Sequence, residues 1–133
     1  MANLRLVVLS DTHGRHRDLS VPAGDLLVHA GDFTRSGSER ELAAFGQWLA
    51  TLPHGIKLLV PGNHEFDGGV FQDVLVEGEI KAAANPHVHL LHRKAIVIQG
   101  VRFVGATLWT DYELNGTTRA NMVLAGQEMP DHK

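Results

Sequence analysis

The stretch IKLLVPGNHEFD, from Ile56 to Asp67, joins an apolar run to a dense polar cluster. Its first five residues are apolar except for Lys57, and a run of this kind predicts a buried strand. Directly behind the strand come an amide, an imidazole and two carboxylates within five residues. These groups bind cations and transfer protons, so we expect a functional site at the end of the strand.

Two similar runs precede this strand, LRLVVLS from Leu4 to Ser10 and DLLVHA from Asp25 to Ala30. Their near-continuous apolar character suits strands buried on both faces, and therefore a parallel sheet flanked by helices. Ahead of the third run, Ser38 and Glu41 form an S-x-x-E capping box that opens an apolar stripe at helical spacing, which ends at Pro53. The sequence therefore predicts a β-α-β crossover and an α/β fold.

The second half of the chain returns to strand patterning, in HVHLL, KAIVI and VRFVGATLW. Gln99 and Gly100 separate the last two runs and fit a two-residue hairpin turn. The segment from Arg15 to Gly24 is typical of a loop with one short helical turn. Over residues 69–84 the pattern is ambiguous, because its helical spacing is interrupted by Gly78. Over residues 117–129 it is weakly helical.

Composition narrows the classes of function. No repeat or linker divides the chain, so we expect a single domain over residues 1–133. A formal charge of -3 provides no basic field for nucleic acid or an anionic membrane. The absence of cysteine excludes disulfides, zinc–thiolate sites and thiol nucleophiles. The opening segment is too short for a signal peptide, and no apolar run approaches the roughly 20 residues of a membrane span, so we expect a cytoplasmic protein.

Each of the three buried runs ends in a polar cluster: SDTHG, HAGDFT and PGNHEFD. The carboxyl ends of parallel strands meet at one edge of the sheet, where such folds bind ligands, so the clusters should converge. His29, inside the second run, is more typical of a hydrogen-bonded sheet residue than of a ligand. HEFDG lacks the second histidine of H-E-x-x-H, which excludes a zincin, and the chain has no phosphate-binding glycine motif and no G-x-S-x-G elbow.

The residues of these clusters suit metal binding and proton transfer. Asp11 and His13 are two apart, so in extended chain they could meet one cation, although an isolated D-x-H is usually a turn cap beside a loop histidine. Asp32 has two oxygens and could bridge two cations, or it could cap a turn. Asn63 offers a neutral oxygen ligand, and His64 could donate a proton near neutral pH.

In order and position, DTH, GDFT and GNHE resemble the first three motifs of the calcineurin-like metallophosphoesterase superfamily, D-x-H, G-D and G-N-H-[DE]. The surrounding stretches LLVHAGDFT, LPHGIKLLVPGNHEFD and GVRFVGATLW resemble bacterial members of that superfamily. The similarity covers essentially all of the chain. It implies a metallophosphoesterase-type β-sandwich flanked by helices.

The resemblance also implies a role for each residue of the motifs. Asp11 and His13 would bind a first metal, Asp32 would bridge both metals, Asn63 would bind the second, and His64 would protonate the leaving oxygen. The implied cofactors are two divalent transition metals, from Mn, Fe, Zn, Co or Ni. The implied reaction is hydrolysis of a small phosphomono- or phosphodiester by a metal-bound hydroxide.

Two later elements of the superfamily pattern, a histidine at a strand end and a G-H-x-H, are missing from this sequence. The one H-x-H, His87 and His89, is out of order and is more typical of a strand. With only Asp32 and Asn63, we expect a weak second metal position. The chain ends about where the second half of the sandwich would begin, so we expect a truncated first half with impaired activity and self-association through an exposed apolar sheet. A non-catalytic binding module that retains the fold is the alternative.

Overall fold

A computed structural model of the chain describes residues 3–66 and 87–109 and the isolated positions 78, 80, 113, 122 and 123. The sequence predictions for 69–84 and 117–129 therefore lie almost wholly outside the described residues. The described part contains one long helix and two single turns of 3-10 helix, His16–Asp18 and Asn63–Glu65. In chain order the strands and the helix are β1 Leu6–Leu9, β2 Leu26–His29, α1 Glu39–Thr51, β3 Ile56–Leu59, β4 Val88–Leu90, β5 Lys94–Ile98 and β6 Val101–Gly105.

Strands β1 to β4 form one parallel sheet in the order β1-β2-β3-β4. The first three strands are in level register, because each begins and ends opposite its neighbour. At the carboxyl edge the three last residues lie side by side: Leu9, His29 and Leu59. The three polar clusters therefore start from one edge, and the predicted parallel sheet is confirmed.

Helix α1 connects β2 to β3 and covers one face of the sheet. Ser38 is its N-cap, and the Ser38 backbone N–H donates to the Glu41 carboxylate at 3.4 Å. The helix ends at Thr51, because Pro53 favours an extended backbone at Leu52, where ψ is 136°. Its apolar stripe packs on the sheet through Leu42, Phe45, Trp48 and Leu49. The predicted crossover helix is confirmed.

Strands β5 and β6 form an antiparallel hairpin on the other face of the sheet. Its turn residues Gln99 and Gly100 have φ values of 50° and 82°, which a tight turn of type I′ requires. On the inner side, Ile98 packs with Leu26 and Leu58 of the parallel sheet. The outcome is three layers, helix, sheet and hairpin, which confirms the predicted α/β fold.

No helix within the described ranges is long and apolar enough to serve as a membrane span. The cytoplasmic location stays a prediction. The single-domain extent over residues 1–133 also stays a prediction.

Candidate metal centre

The loop after β1 lies alongside the loop after β2, because backbone pairing continues past the ends of the strands. The Asp11 N–H donates to the Gly31 carbonyl at 2.9 Å, and the His13 N–H donates to the Asp32 carbonyl, also at 2.9 Å. These bonds place the DTH and GDFT clusters side by side. Local sequence spacing does not bring them together; the parallel register of β1 and β2 does.

Three of the predicted ligands have a left-handed backbone. The φ values are 55° at Asp11, 43° at His13 and 55° at Asp32. A non-glycine residue in such a conformation costs on the order of 1–3 kcal/mol when it is strained, and such residues cluster at functional sites. The extended geometry that sequence spacing assumed for Asp11 and His13 is therefore wrong, although both side chains still reach the same edge of the sheet.

The loop after β3 approaches the loop after β2 through two glycines. A Cβ atom on Gly31 would lie 3.1 Å from the Gly62 Cα, and a Cβ on Gly62 would overlap the Asp32 carboxylate. The φ of Gly62 is -94°, which any residue can adopt, so glycine is needed there for space rather than for its dihedral freedom. This close approach brings the Asp32 carboxylate against the GNHE cluster, where the His64 backbone N–H donates to Asp32 Oδ1 at 3.2 Å.

Side chains from all three loops form a group that suits a cation. His13, Asp32 and His64 can each offer one ligand atom, and these atoms lie within 4.8 Å of one another. His13 Nε2 is 3.9 Å from Asp32 Oδ2 and 4.0 Å from Asp11 Oδ1. Imidazole and carboxylate together suit divalent transition metals, so these residues fit the kind of metal that the family resemblance implies.

An open cleft of about 360 Å³ lies beside this group. Asp11, Asp32 and Asn63 line the cleft together with residues 104–108, at the end of β6. The structure therefore brings Asn63 to the same place as the carboxylates. The Asp11 side chain is 66% exposed and that of Asp32 only 15%, so Asp11 lies at the solvent side of the group. All five predicted site residues meet at one edge of the sheet, while the role of each stays a prediction.

The ring of His64 is oriented by a backbone carbonyl. Its Nδ1 lies 2.7 Å from the Arg35 carbonyl oxygen, and a carbonyl can only accept, so Nδ1 carries the proton. The other ring nitrogen, Nε2, is then the atom that gains or loses a proton. The Arg35 side chain also donates from Nε to the His13 carbonyl at 3.0 Å, so one residue contacts both histidine loops.

The histidines that the sequence placed outside the site do lie outside it. His87 precedes β4 at the amino end of the sheet, where its carbonyl accepts from the Lys57 N–H, and His89 pairs with Leu58 within the sheet. Neither belongs to the metal-ligating group found among the described residues. His29 is fully buried and forms a 3.0 Å hydrogen bond with the Thr12 hydroxyl, as expected for a sheet residue.

Glu65 is the residue of this centre that sequence reasoning missed. Its side chain is 2% exposed, and its carboxylate contacts both the GDFT loop and the GNHE loop. Burial raises the pKa of Glu65 above its ordinary value, while hydrogen bonds from Thr34 and Gly62 act in the opposite direction. The available signal was its position three residues after Gly62, the spacing at which a glutamate can cap a turn.

Comparison with known proteins identifies the family. The sequence profile described as calcineurin-like phosphoesterase matches residues 4–95. The chain belongs to the calcineurin-like phosphoesterase family. The match spans β1 to the start of β5 and includes all five predicted site residues.

Relatives of the chain include proteins from Caenorhabditis elegans and from humans. The UPF0046 protein K07C11.7 of Caenorhabditis elegans is 37% identical over 112 residues, which cover 78% of this chain and 39% of that protein. The human metallophosphoesterase domain-containing protein 1 is 44% identical over 73 residues, which cover 53% of this chain and 22% of that protein. The chain thus spans well under half the length of these curated relatives. The expected likeness to bacterial members in particular receives no support.

Proposed function

We propose that this chain carries a metal-dependent phosphoesterase site that hydrolyses small phosphomono- or phosphodiesters. The observation that carries the proposal is the convergence of Asp11, His13, Asp32, Asn63 and His64 at the carboxyl edge of the sheet. Membership of the calcineurin-like phosphoesterase family supports the class of reaction.

The donor set suggests how two divalent transition metals, from Mn, Fe, Zn, Co or Ni, would be held. Asp11 and His13 would serve the first metal, Asp32 would serve both, and Asn63 would serve the second. Bound divalent metals supply the positive charge that activates water and stabilises the charge developing on a phosphoryl group. Among the described residues the second position has the fewer ligands, so we expect one firm site, one weak site and reduced activity.

His64 is the proposed general acid. Because its Nδ1 proton is held by the Arg35 carbonyl, the proton given to the leaving oxygen must come from Nε2. The ring must therefore be positively charged before the transfer, and it becomes neutral afterwards. A positioned acid of this type contributes roughly 10²–10⁴-fold to a rate.

The open cleft is the proposed place for the phosphate ester. It lies against Asp11, Asp32 and Asn63, and it is open to solvent on its outer side. An open cleft admits substrates of different sizes, so the geometry supports a small phosphate ester without selecting one alcohol.

The test combines metal binding with turnover. The chain is freed of metal with a chelator and titrated by calorimetry with Mn²⁺, Fe²⁺, Zn²⁺, Co²⁺ and Ni²⁺ in turn. It is then assayed with p-nitrophenyl phosphate and bis(p-nitrophenyl) phosphate. We expect Asp32→Asn to abolish tight binding and turnover, while Asp18→Asn, an exposed carboxylate paired with Arg15, serves as the matched control.

Each outcome separates the candidates. Metal-dependent turnover that is lost in Asp32→Asn and kept in Asp18→Asn supports the phosphoesterase. Tight binding with no turnover supports a non-catalytic module that retains the fold. Failure of the wild-type chain to bind any of the five metals would overturn the proposed metal centre.

A further inference from the structure

The Glu65 carboxylate is saturated with hydrogen-bond donors. Oε2 accepts from the backbone N–H of Asp32 at 2.9 Å and of Gly62 at 2.8 Å. Oε1 accepts from the Thr34 N–H at 2.8 Å and from the Thr34 hydroxyl at 2.7 Å. All four partners donate, so an acceptor-only carboxylate satisfies them, whereas an amide would turn its NH₂ group toward two of them.

These bonds join the two loops that carry proposed ligands. Asp32 lies 33 residues before Glu65 along the chain, yet its N–H shares an oxygen atom with the N–H of Gly62, the residue before Asn63. One oxygen of Glu65 therefore fixes the distance between the two loops. The carboxylate belongs to the loop after β3 and acts directly on the loop after β2.

The shared bond also bears on the orientation of the Asp32 side chain. Asp32 has a φ of 55°, a conformation that a non-glycine residue keeps only when its surroundings enforce it. The hydrogen bond from its N–H to Glu65 is one of those constraints. Loss of this bond removes one constraint on that φ. Relaxation toward an ordinary φ would turn the Asp32 carboxylate away from His13, whose Nε2 now lies 3.9 Å from Oδ2.

From these contacts we propose that Glu65 is a positioning residue for the metal centre: it holds the Asp32 and Asn63 loops in their ligand-bearing arrangement before any metal binds. Glu65 touches neither metal nor substrate in this role. It acts through Asp32, as the outer partners of metal ligands do elsewhere. The inference rests on the proposed function, because that proposal makes this group of residues a metal centre. We call the hydrogen bonds from Asp32, Thr34 and Gly62 to Glu65 the clamp, and its presence before metal binding can be tested without metal.

Glu41 provides a matched control for a purely structural role. Its carboxylate also accepts several hydrogen bonds, from the Arg35 N–H at 3.1 Å and from the Ser36 N–H and hydroxyl at 3.1 and 2.6 Å. These bonds organise the chain between the GDFT loop and α1, but none of them comes from a proposed ligand. Glu41→Gln therefore perturbs a similar network without releasing Asp32.

The experiment measures Mn²⁺ affinity by calorimetry in Glu65→Gln, Glu41→Gln and the wild-type chain. Each protein is first shown to be folded by circular dichroism and is titrated well below its unfolding midpoint. We expect Glu65→Gln to bind Mn²⁺ roughly 10–100-fold more weakly, the usual loss for an outer partner of a ligand. Glu41→Gln should bind as the wild type does. A folded Glu65→Gln with wild-type affinity would overturn the proposal.

Amide hydrogen exchange in the metal-free wild-type chain keeps the proposal testable if Glu65→Gln does not fold. The N–H groups of Asp32, Thr34 and Gly62 should be protected, because the clamp exists before metal binding. Fast exchange at these positions, with protection appearing only after Mn²⁺ is added, would overturn the clamp. If the wild-type chain binds none of the five metals, the proposed function fails, while the exchange result still decides whether the hydrogen bonds of Glu65 are formed before metal binding.

Discussion

His29 should make the stability of this protein depend on pH between neutrality and pH 4. Its side chain is fully buried. Burial, with smaller contributions from the charges of His16 and His13, lowers its pKa from 6.5 to about 4, although Asp11 acts in the opposite direction. The folded protein therefore keeps this ring neutral over a range in which the unfolded chain protonates it.

The sign and the size of the effect follow from this difference. Between pH 6.5 and about 4 the unfolded state binds one more proton at this position, so the free energy of unfolding falls as the pH falls. The stability that the protein gains from a neutral His29 is fully present above pH 6.5, and it is lost progressively as the pH falls toward 4. A difference of about 2.5 pKa units corresponds to a loss of roughly 3 kcal/mol.

Urea unfolding at a series of pH values from 7.5 to 4, in a chelator, measures this loss. His29→Gln keeps a polar partner for the Thr12 hydroxyl but does not titrate, so its stability should fall by roughly 3 kcal/mol less than that of the wild type over the range. His87→Gln removes an exposed histidine and is the matched control. Parallel curves for wild type and His29→Gln would refute the reasoning, because they would mean that His29 does not resist protonation in the folded state.

Three further predictions concern the site and the surface. Gly62→Ala places a methyl group on the Asp32 carboxylate, so it should lower the free energy of unfolding by about 1–3 kcal/mol in urea melts and weaken metal binding in calorimetry. The control is Gly55→Ala, whose methyl meets one carbonyl oxygen at 3.8 Å and should change neither quantity. His64→Ala should retain more activity on p-nitrophenyl esters than on alkyl esters, because a good leaving group needs less protonation as the bond breaks. Equal losses of kcat/KM on the two kinds of ester would show that His64 is not the general acid. Self-association through the exposed face of the hairpin stays a prediction. Val104 is 73% exposed on that face, so Val104→Lys should lower the sedimentation coefficient of a self-associated chain, and an unchanged coefficient would exclude that face as the contact.

The elements of the fold were predictable because their signals are local. The three apolar runs became β1, β2 and β3, each shorter than its run at one or both ends. The capping residue Ser38 and the stop before Pro53 set the ends of α1, and the Gln99–Gly100 pair set the hairpin turn. Burial, capping and turn chemistry all act within a few residues, so the sequence displays them directly.

The meeting of the five predicted residues at one edge of the sheet was also predictable, but the detailed geometry there was not. Strand ends in a parallel sheet share an edge, so polar residues after β1, β2 and β3 had to meet there. The left-handed backbone of Asp11 and Asp32, and the carbonyl of Arg35 that fixes the His64 ring, come from hydrogen bonds between loops. Such bonds depend on strand register, which sequence spacing does not reveal.

By itself, then, the sequence determined which chemical groups stand at the strand ends and in what order, since those are properties of the chain. The tertiary structure alone decided the part played by Glu65. Two of its donors, Asp32 and Thr34, come from a loop more than 30 residues away along the chain, and they become partners only when two glycines let the loops touch. A buried carboxylate is satisfied by neighbours in space, and those neighbours exist only once the sheet has aligned β2 with β3.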